Sequence, residues 1–215
     1  MSLLQFILNS KKLWGVKMSS FLKKYIVIQY FRSLTYLILA LSLGVFQGCS
    51  SPSVFNYKNE NPTLNLKEFF NGEVQAWGIF TNRNGEVVKR FTVLMNCSWN
   101  GDEGVLDEKF TYSDGTKQQR IWRLKDLGSG SYQGSAGDVI GLAQGQSSGN
   151  ALQWKYILSL PVDDKHWEVQ FEDWMYQIDD KVMLNKARMS KWGIYLGEVT
   201  LSFSKVSATE KVPAQ

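Results

Sequence analysis

From about residue 66 to residue 205 the chain alternates apolar and polar side chains with a period of two. That period belongs to strands with one face in and one face out; a helix would smear it around all sides. Leu152, Trp154, Tyr156, Leu158 and Leu160 form the clearest stripe. Val87, Phe91, Val93, Met95 and Cys97 share one parity, as do Leu106, Phe110 and Tyr112. Trp167, Val169, Phe171 and Met175 form another stripe, and Tyr195, Val199, Leu201 and Phe203 close the series. Turn formers break the stripes at short intervals: Asn84-Gly85, Asn100-Gly101, Asp114-Gly115, Gly128-Ser129-Gly130, Asp163-Asp164 and Asp179-Asp180. The expectation is an all-β domain over residues 63–205. Its form is a single antiparallel up-and-down barrel of about eight to ten strands, because even hairpin spacing favours closure and closure removes exposed edges. Asn65 to Phe70 reads as a short helical turn plugging one end, and Lys186 to Trp192 as a second turn.

The N-terminal stretch has a different composition. Lys11, Lys12, Lys17, Lys23, Lys24 and Arg32 precede the apolar run Leu34 to Phe46, with no Asp or Glu before Cys49. That run of 13 residues suits a signal peptide and is short for a spanning helix, which needs about 20. Val45-Phe46-Gln47-Gly48-Cys49-Ser50 resembles a bacterial lipoprotein cleavage site, although Phe46 and Gln47 depart from the common residues. The resemblance implies removal of residues 1–48 (Met18 is an alternative start) and lipidation of Cys49. Turn formers without an apolar period make 49–62, after the lipidated Cys, a flexible tether, and polar composition makes 206–215 a disordered tail. Ser50 after the cysteine implies the outer membrane, at its periplasmic face. The whole chain has 24 basic and 20 acidic residues. Without the six basic leader residues the balance is 18 against 20, so the formal net charge of +4 is no argument for nucleic acid. With Cys49 consumed by lipid, Cys97 stands alone as an inert buried thiol and the fold has no intrachain disulfide.

Parity also places charges inside. Glu108 shares a face with Leu106 and Phe110, and Arg120 with Trp122 and Leu124. For the two apolar faces to coincide around Ser113-Asp114-Gly115, paired residue numbers must have an even sum. A three-residue loop with left-handed Gly115 meets that condition, and it sets Glu108 opposite Arg120 as an inward ion pair. Asp173 lies on the face of Val169 and Phe171, and a carboxylate among aromatics is unfavourable unless partnered. Asp138, in a Gly-rich stretch, reads as a turn cap. These charges suit structural ion pairs at a barrel end, a ligand site in which Arg120 grips an anionic head, or carboxylate chemistry. Nothing points to a His-based triad, a metal centre or a cofactor. His166 is the single histidine, no G-x-S-x-G occurs, and no phosphate loop follows the Gly-rich segments. The domain is therefore expected not to be an enzyme.

Several short segments together carry a family resemblance. They are Phe70-Asn71-Gly72, Ala76-Trp77-Gly78-Ile79-Phe80, Leu106-Asp107-Glu108-Lys109-Phe110, Arg120-Ile121-Trp122, Gly137-Asp138-Val139-Ile140-Gly141, Phe171-Glu172-Asp173-Trp174-Met175 and Lys191-Trp192-Gly193. In these the chain resembles the bacterial lipoproteins grouped as domain of unknown function 3833, from about Leu66 to Lys205. The resemblance implies a lipid-anchored envelope protein and no known reaction. A looser likeness to lipocalin-type barrels concerns strand count and hairpin spacing only. The function expected is binding of a lipid-like amphiphile, a fatty acid or phospholipid. Arg120 would hold its head, Glu108 would fix Arg120, Trp122, Trp154 and Tyr156 would line the cavity, and Asp173 would join them. An interior cavity of about 300 Å³ or more would favour that role. A filled barrel would favour an accessory envelope protein acting through its outer surface, and converging carboxyl groups a lipid- or glycan-modifying enzyme. The anchor is tested by labelling cells with a clickable fatty acid: the parent chain should take label and Cys49→Ala none, and equal labelling of both would remove the anchor.

Overall fold

The computed structural model describes residues 25, 27–36, 52–162 and 165–206. Residues 27–36 are helical, in a unit of their own (Met1–Ser51), and no described helix is long and apolar enough to cross a membrane. The cleavage site, Cys49 and the tail from residue 207 lie outside the described residues.

Ten antiparallel strands follow one another around a closed barrel. They are β1 (Gly72–Asn82), β2 (Val87–Asn100), β3 (Glu103–Tyr112), β4 (Lys117–Gly128), β5 (Ser131–Ser135), β6 (Ala143–Ser148), β7 (Ala151–Val162), β8 (Lys165–Gln177), β9 (Val182–Lys191) and β10 (Ile194–Lys205). Each strand pairs with its neighbour in sequence, and β1 closes on β10 from Val74↔Lys205 to Asn82↔Gly197. The expected up-and-down barrel is thus the observed one. Its alternation is visible as burial: Phe91, Val93, Met95 and Cys97 on β2 are buried while Thr92, Leu94 and Asn96 between them are exposed. Tyr112 pairs through its N–H with the Thr116 carbonyl, and Gly115 has φ 81°, so the three-residue loop forms as the parity requires.

One end of the barrel is plugged. The single-turn helix Leu66–Phe69 is capped by Asn65, whose side chain accepts from the Glu68 N–H at 3.2 Å. It buries Leu66 and Phe69, with Leu64 and Phe70 beside them. Phe70 meets Phe203 edge-on at 5.2 Å, and Trp99 Nε1–H donates to the Phe70 carbonyl at 2.9 Å. Lys67 straps the plug to the rim through Asp102 at 2.9 Å and Asp126 at 3.0 Å.

Two expectations are corrected here. Residues 52–62 do not form a free tether: Val54–Tyr57 is a 3-10 helix with Val54 buried, and Tyr57 packs on Tyr176 at 5.3 Å. Its apolar and aromatic residues outweigh the turn formers around them. Lys186–Trp192 is not a helical turn either, since residues up to Lys191 belong to β9, paired on both sides. Gly149 is the contact point for the docked segment. It has φ 55°, its carbonyl accepts from Leu64, and an added Cβ would lie 1.7 Å from the Tyr57 carbonyl oxygen. Gly149→Ala should therefore lower the unfolding free energy by at least about 2 kcal/mol, combining left-handed strain with displacement of the segment. Urea melts check this, and an unchanged midpoint would contradict the docking.

Candidate functional site

Above the plug the barrel keeps an interior cavity of about 180 Å³. Its walls are mainly aromatic and aliphatic, and Trp122, Trp154, Tyr156, Phe171, Glu108, Arg120, Asp173 and Asn185 all face it. A second void of about 60 Å³ lies toward the plug, and Glu108 borders both. All six residues expected at the site are therefore brought together. The aromatic wall is interlocked: Trp122 meets Trp154 and Tyr156 edge-on at 5.8 and 5.4 Å, and Tyr156 stacks on Phe171 at 5.2 Å. The Trp154 indole has room because Gly134 and Gly145 stand against it; an added Cβ would come within 2.7 Å and 2.3 Å of its ring.

The ion pair differs from the expected one. Glu108 does lie opposite Arg120 in the β3–β4 register. The Arg120 guanidinium nevertheless turns to Asp138, with Nε at 3.1 and 3.0 Å from the two carboxylate oxygens and Nη2 at 2.6 Å. The reason lies in the barrel wall. β5 and β6 are short, so β4 pairs with β5 only from Arg123 onward and β7 pairs with β6 only up to Lys155. The upper halves of β4 and β7, still paired with β3 and β8, thus lack a strand between them, and the segment 136–142 crosses that space. Val139 bridges to Leu158, the Ile140 N–H donates to the Ile157 carbonyl, and the Ser159 N–H donates to the Asp138 carbonyl. These bonds fasten the segment to β7. Among the described residues no backbone hydrogen bond joins it to Lys117–Trp122 of β4. The Arg120–Asp138 fork spans that seam instead, a planar geometry that arginine and carboxylate match well. Asp138 is therefore a seam partner rather than only a turn cap.

Deeper in, Asp173 is 5 % exposed and Asn185 4 %. Asp173 Oδ2 accepts from the Tyr156 hydroxyl and from Asn185 Nδ2, both at 3.3 Å. Asp173 Oδ1 and Asn185 Oδ1 are buried and have no partner among the described residues. Sequence reasoning missed Asn185; its parity with Met183 and Ala187 marks it as inward once β9 is read as a strand.

Burial controls the charges. Desolvation raises the pKa of Glu108 to about 7, against the attraction of Arg120 and helped by Asp138 and Asp173. Desolvation likewise raises Asp173 to about 7, although its bonds from Asn185 and Tyr156 oppose the shift. Burial works against the charge on Arg120, and Asp138 and Glu108 more than offset it, so its pKa lies above the ordinary value. Burial also pushes the Cys97 thiol up to about 12, in keeping with a core residue. No group of three or more His, Cys, Asp or Glu that could hold a metal occurs among the described residues.

A closed antiparallel barrel, plugged at one end and holding a polar cluster in an aromatic cavity, is the class that this geometry defines. The chain belongs to the family described as protein of unknown function DUF3833, whose model matches residues 43–205. No curated protein matches it.

The raised pKa values set a pH dependence. Both carboxyl groups bind protons more tightly folded than unfolded, so their contribution is present below about pH 4 and is lost as pH rises toward 7. The loss is on the order of 3 kcal/mol per group. Unfolding free energy should fall over that window, and Glu108→Gln or Asp173→Asn should each flatten part of the slope. Denaturant melts across pH check this; a parent slope matching both variants would contradict it.

Proposed function

We propose that the protein is a binding protein for a small amphiphile, held in the barrel and presented at the bacterial envelope by a lipid on Cys49. The observation that carries the reading is a cavity with aromatic walls that Asp173 and Asn185 help to line, each with a buried Oδ1 that has no partner among the described residues. Leaving such a group unpaired in the folded state is unfavourable by about 1–3 kcal/mol, and a bound polar head would relieve it. Ligand sites commonly combine an apolar wall with a few convergent polar groups.

The volume limits the ligand. At about 180 Å³ the cavity is smaller than the roughly 300–1,000 Å³ of sites for drug-sized molecules. It suits a small molecule, or the head and first carbons of a larger one, and does not hold a whole fatty acid or phospholipid. Asp138 already occupies Nε and Nη2 of Arg120, which leaves an anionic head only the Nη1 side of the guanidinium. An accessory role for the outer surface draws support from how nearly the interior is filled, but it leaves the unpaired oxygens unexplained. A carboxylate-based enzyme has one observation behind it: Glu108 and Asp173 face one cavity with pKa values near neutrality. The two are separated by the ligand's fate, which an enzyme changes and a binding barrel returns intact.

Protein extracted gently from its source should carry a small-molecule adduct in native mass spectrometry. Ala187→Leu, which adds bulk at the cavity wall beside Asp173, should lose it while keeping a cooperative melt. A bare barrel in both forms would overturn the reading.

A further inference from the structure

Within that binding reading, the polar groups of the cavity specify the chemistry of the ligand's head. The two buried side-chain atoms left without partners at the site, Asp173 Oδ1 and Asn185 Oδ1, are both acceptors. Glu108 lines the same cavity, and its carboxylate takes part in no side-chain hydrogen bond among the described residues. The donors nearest Asp173, and the Nε–Nη2 side of Arg120, are already engaged. The Tyr156 hydroxyl and Asn185 Nδ2 both donate to Asp173 Oδ2, and Arg120 Nε and Nη2 are taken by Asp138. Charge points the same way. When ionised, Glu108 and Asp173 set two negative charges on the cavity wall, where the Arg120 charge is already paired with Asp138. An anionic head would be repelled there and would bring further acceptors to unmet acceptors. A cation with N–H groups would meet both needs at once. The walls suit it too, because the faces of Trp122, Trp154 and Phe171 attract cations.

We infer that the cavity binds a protonated amine carrying a short apolar body, with its ammonium group donating to Asp173 Oδ1 and Asn185 Oδ1 and its body against Trp122, Trp154 and Phe171. Asp173 lies at the centre of this arrangement and Asn185 orients it. The Arg120–Asp138 fork stays closed, so no part of the seam need open for the head to be satisfied.

The test uses the purified full-length chain and three probes of equal chain length: hexylamine, hexan-1-ol and hexanoate. Binding is followed by calorimetry and by tryptophan emission at mildly alkaline pH, where the carboxyl groups are ionised. Hexylamine should bind at least about tenfold more tightly than either of the others, the scale expected for a charge-assisted hydrogen bond of about 1.4 kcal/mol or more. Asp173→Asn should remove most of that preference and retain hexanol binding. If Asp173→Asn does not fold, Asn185→Ala carries the same comparison. Hexanol or hexanoate binding as tightly as the amine, or a preference unmoved by the variant, would overturn the amine assignment and leave a binding barrel standing. Absence of binding by all three would overturn both.

Discussion

Pairing of β1 with β10 is the constraint on which the rest depends. A sheet that closes on itself has no edge to protect, and it forces every second side chain into a shared interior. The plug at Leu66–Phe70 then seals one end, and Lys67 ties it to two hairpins. What remains is a cup with its polar groups placed by strand register alone. Glu108, Asp173 and Asn185 are inward because their neighbours two residues away are inward.

The wall has one weak line. Short β5 and β6 leave the upper halves of β4 and β7 each without a strand partner on one side, and the segment 136–142 is hydrogen-bonded to only one of them. A side-chain fork, Arg120 with Asp138, replaces the missing ladder on the other side. This explains why a charged pair lies partly within a mainly apolar wall. It also pairs the Arg120 charge with Asp138 and leaves Glu108 without a hydrogen-bonded partner, which shifts the interior from a balanced pair toward an acid-rich pocket.

Much of the site is legible in the sequence. Trp122, Trp154, Tyr156, Glu108, Arg120 and Asp173 were placed inward by parity, and all six line one cavity. The register of Glu108 with Arg120 followed from an even-sum argument about a single turn, and it holds. The gaps have a common cause. β5 and β6 are rich in Gly, Ser and Gln, so they carry no apolar stripe to read. Without them Asp138 could only be read as a loop residue. The β9 stripe, Met183, Asn185 and Ala187, has a polar residue at its centre, which hides its period and with it Asn185. The docked 3-10 helix at Val54–Tyr57 was masked by the Asn, Lys and Pro residues that follow it.

By itself the sequence determined the fold class, the inward set and the turn at Gly115, because a period of two and a left-handed glycine are local properties of the chain. Only the tertiary structure decided which inward groups satisfy one another. Arg120 meets Asp138 rather than Glu108, and oxygens on Asp173 and Asn185 are left over, because partner choice depends on where non-adjacent segments come to lie. Parity assigns a side chain to a face; the distance across the barrel assigns its partner.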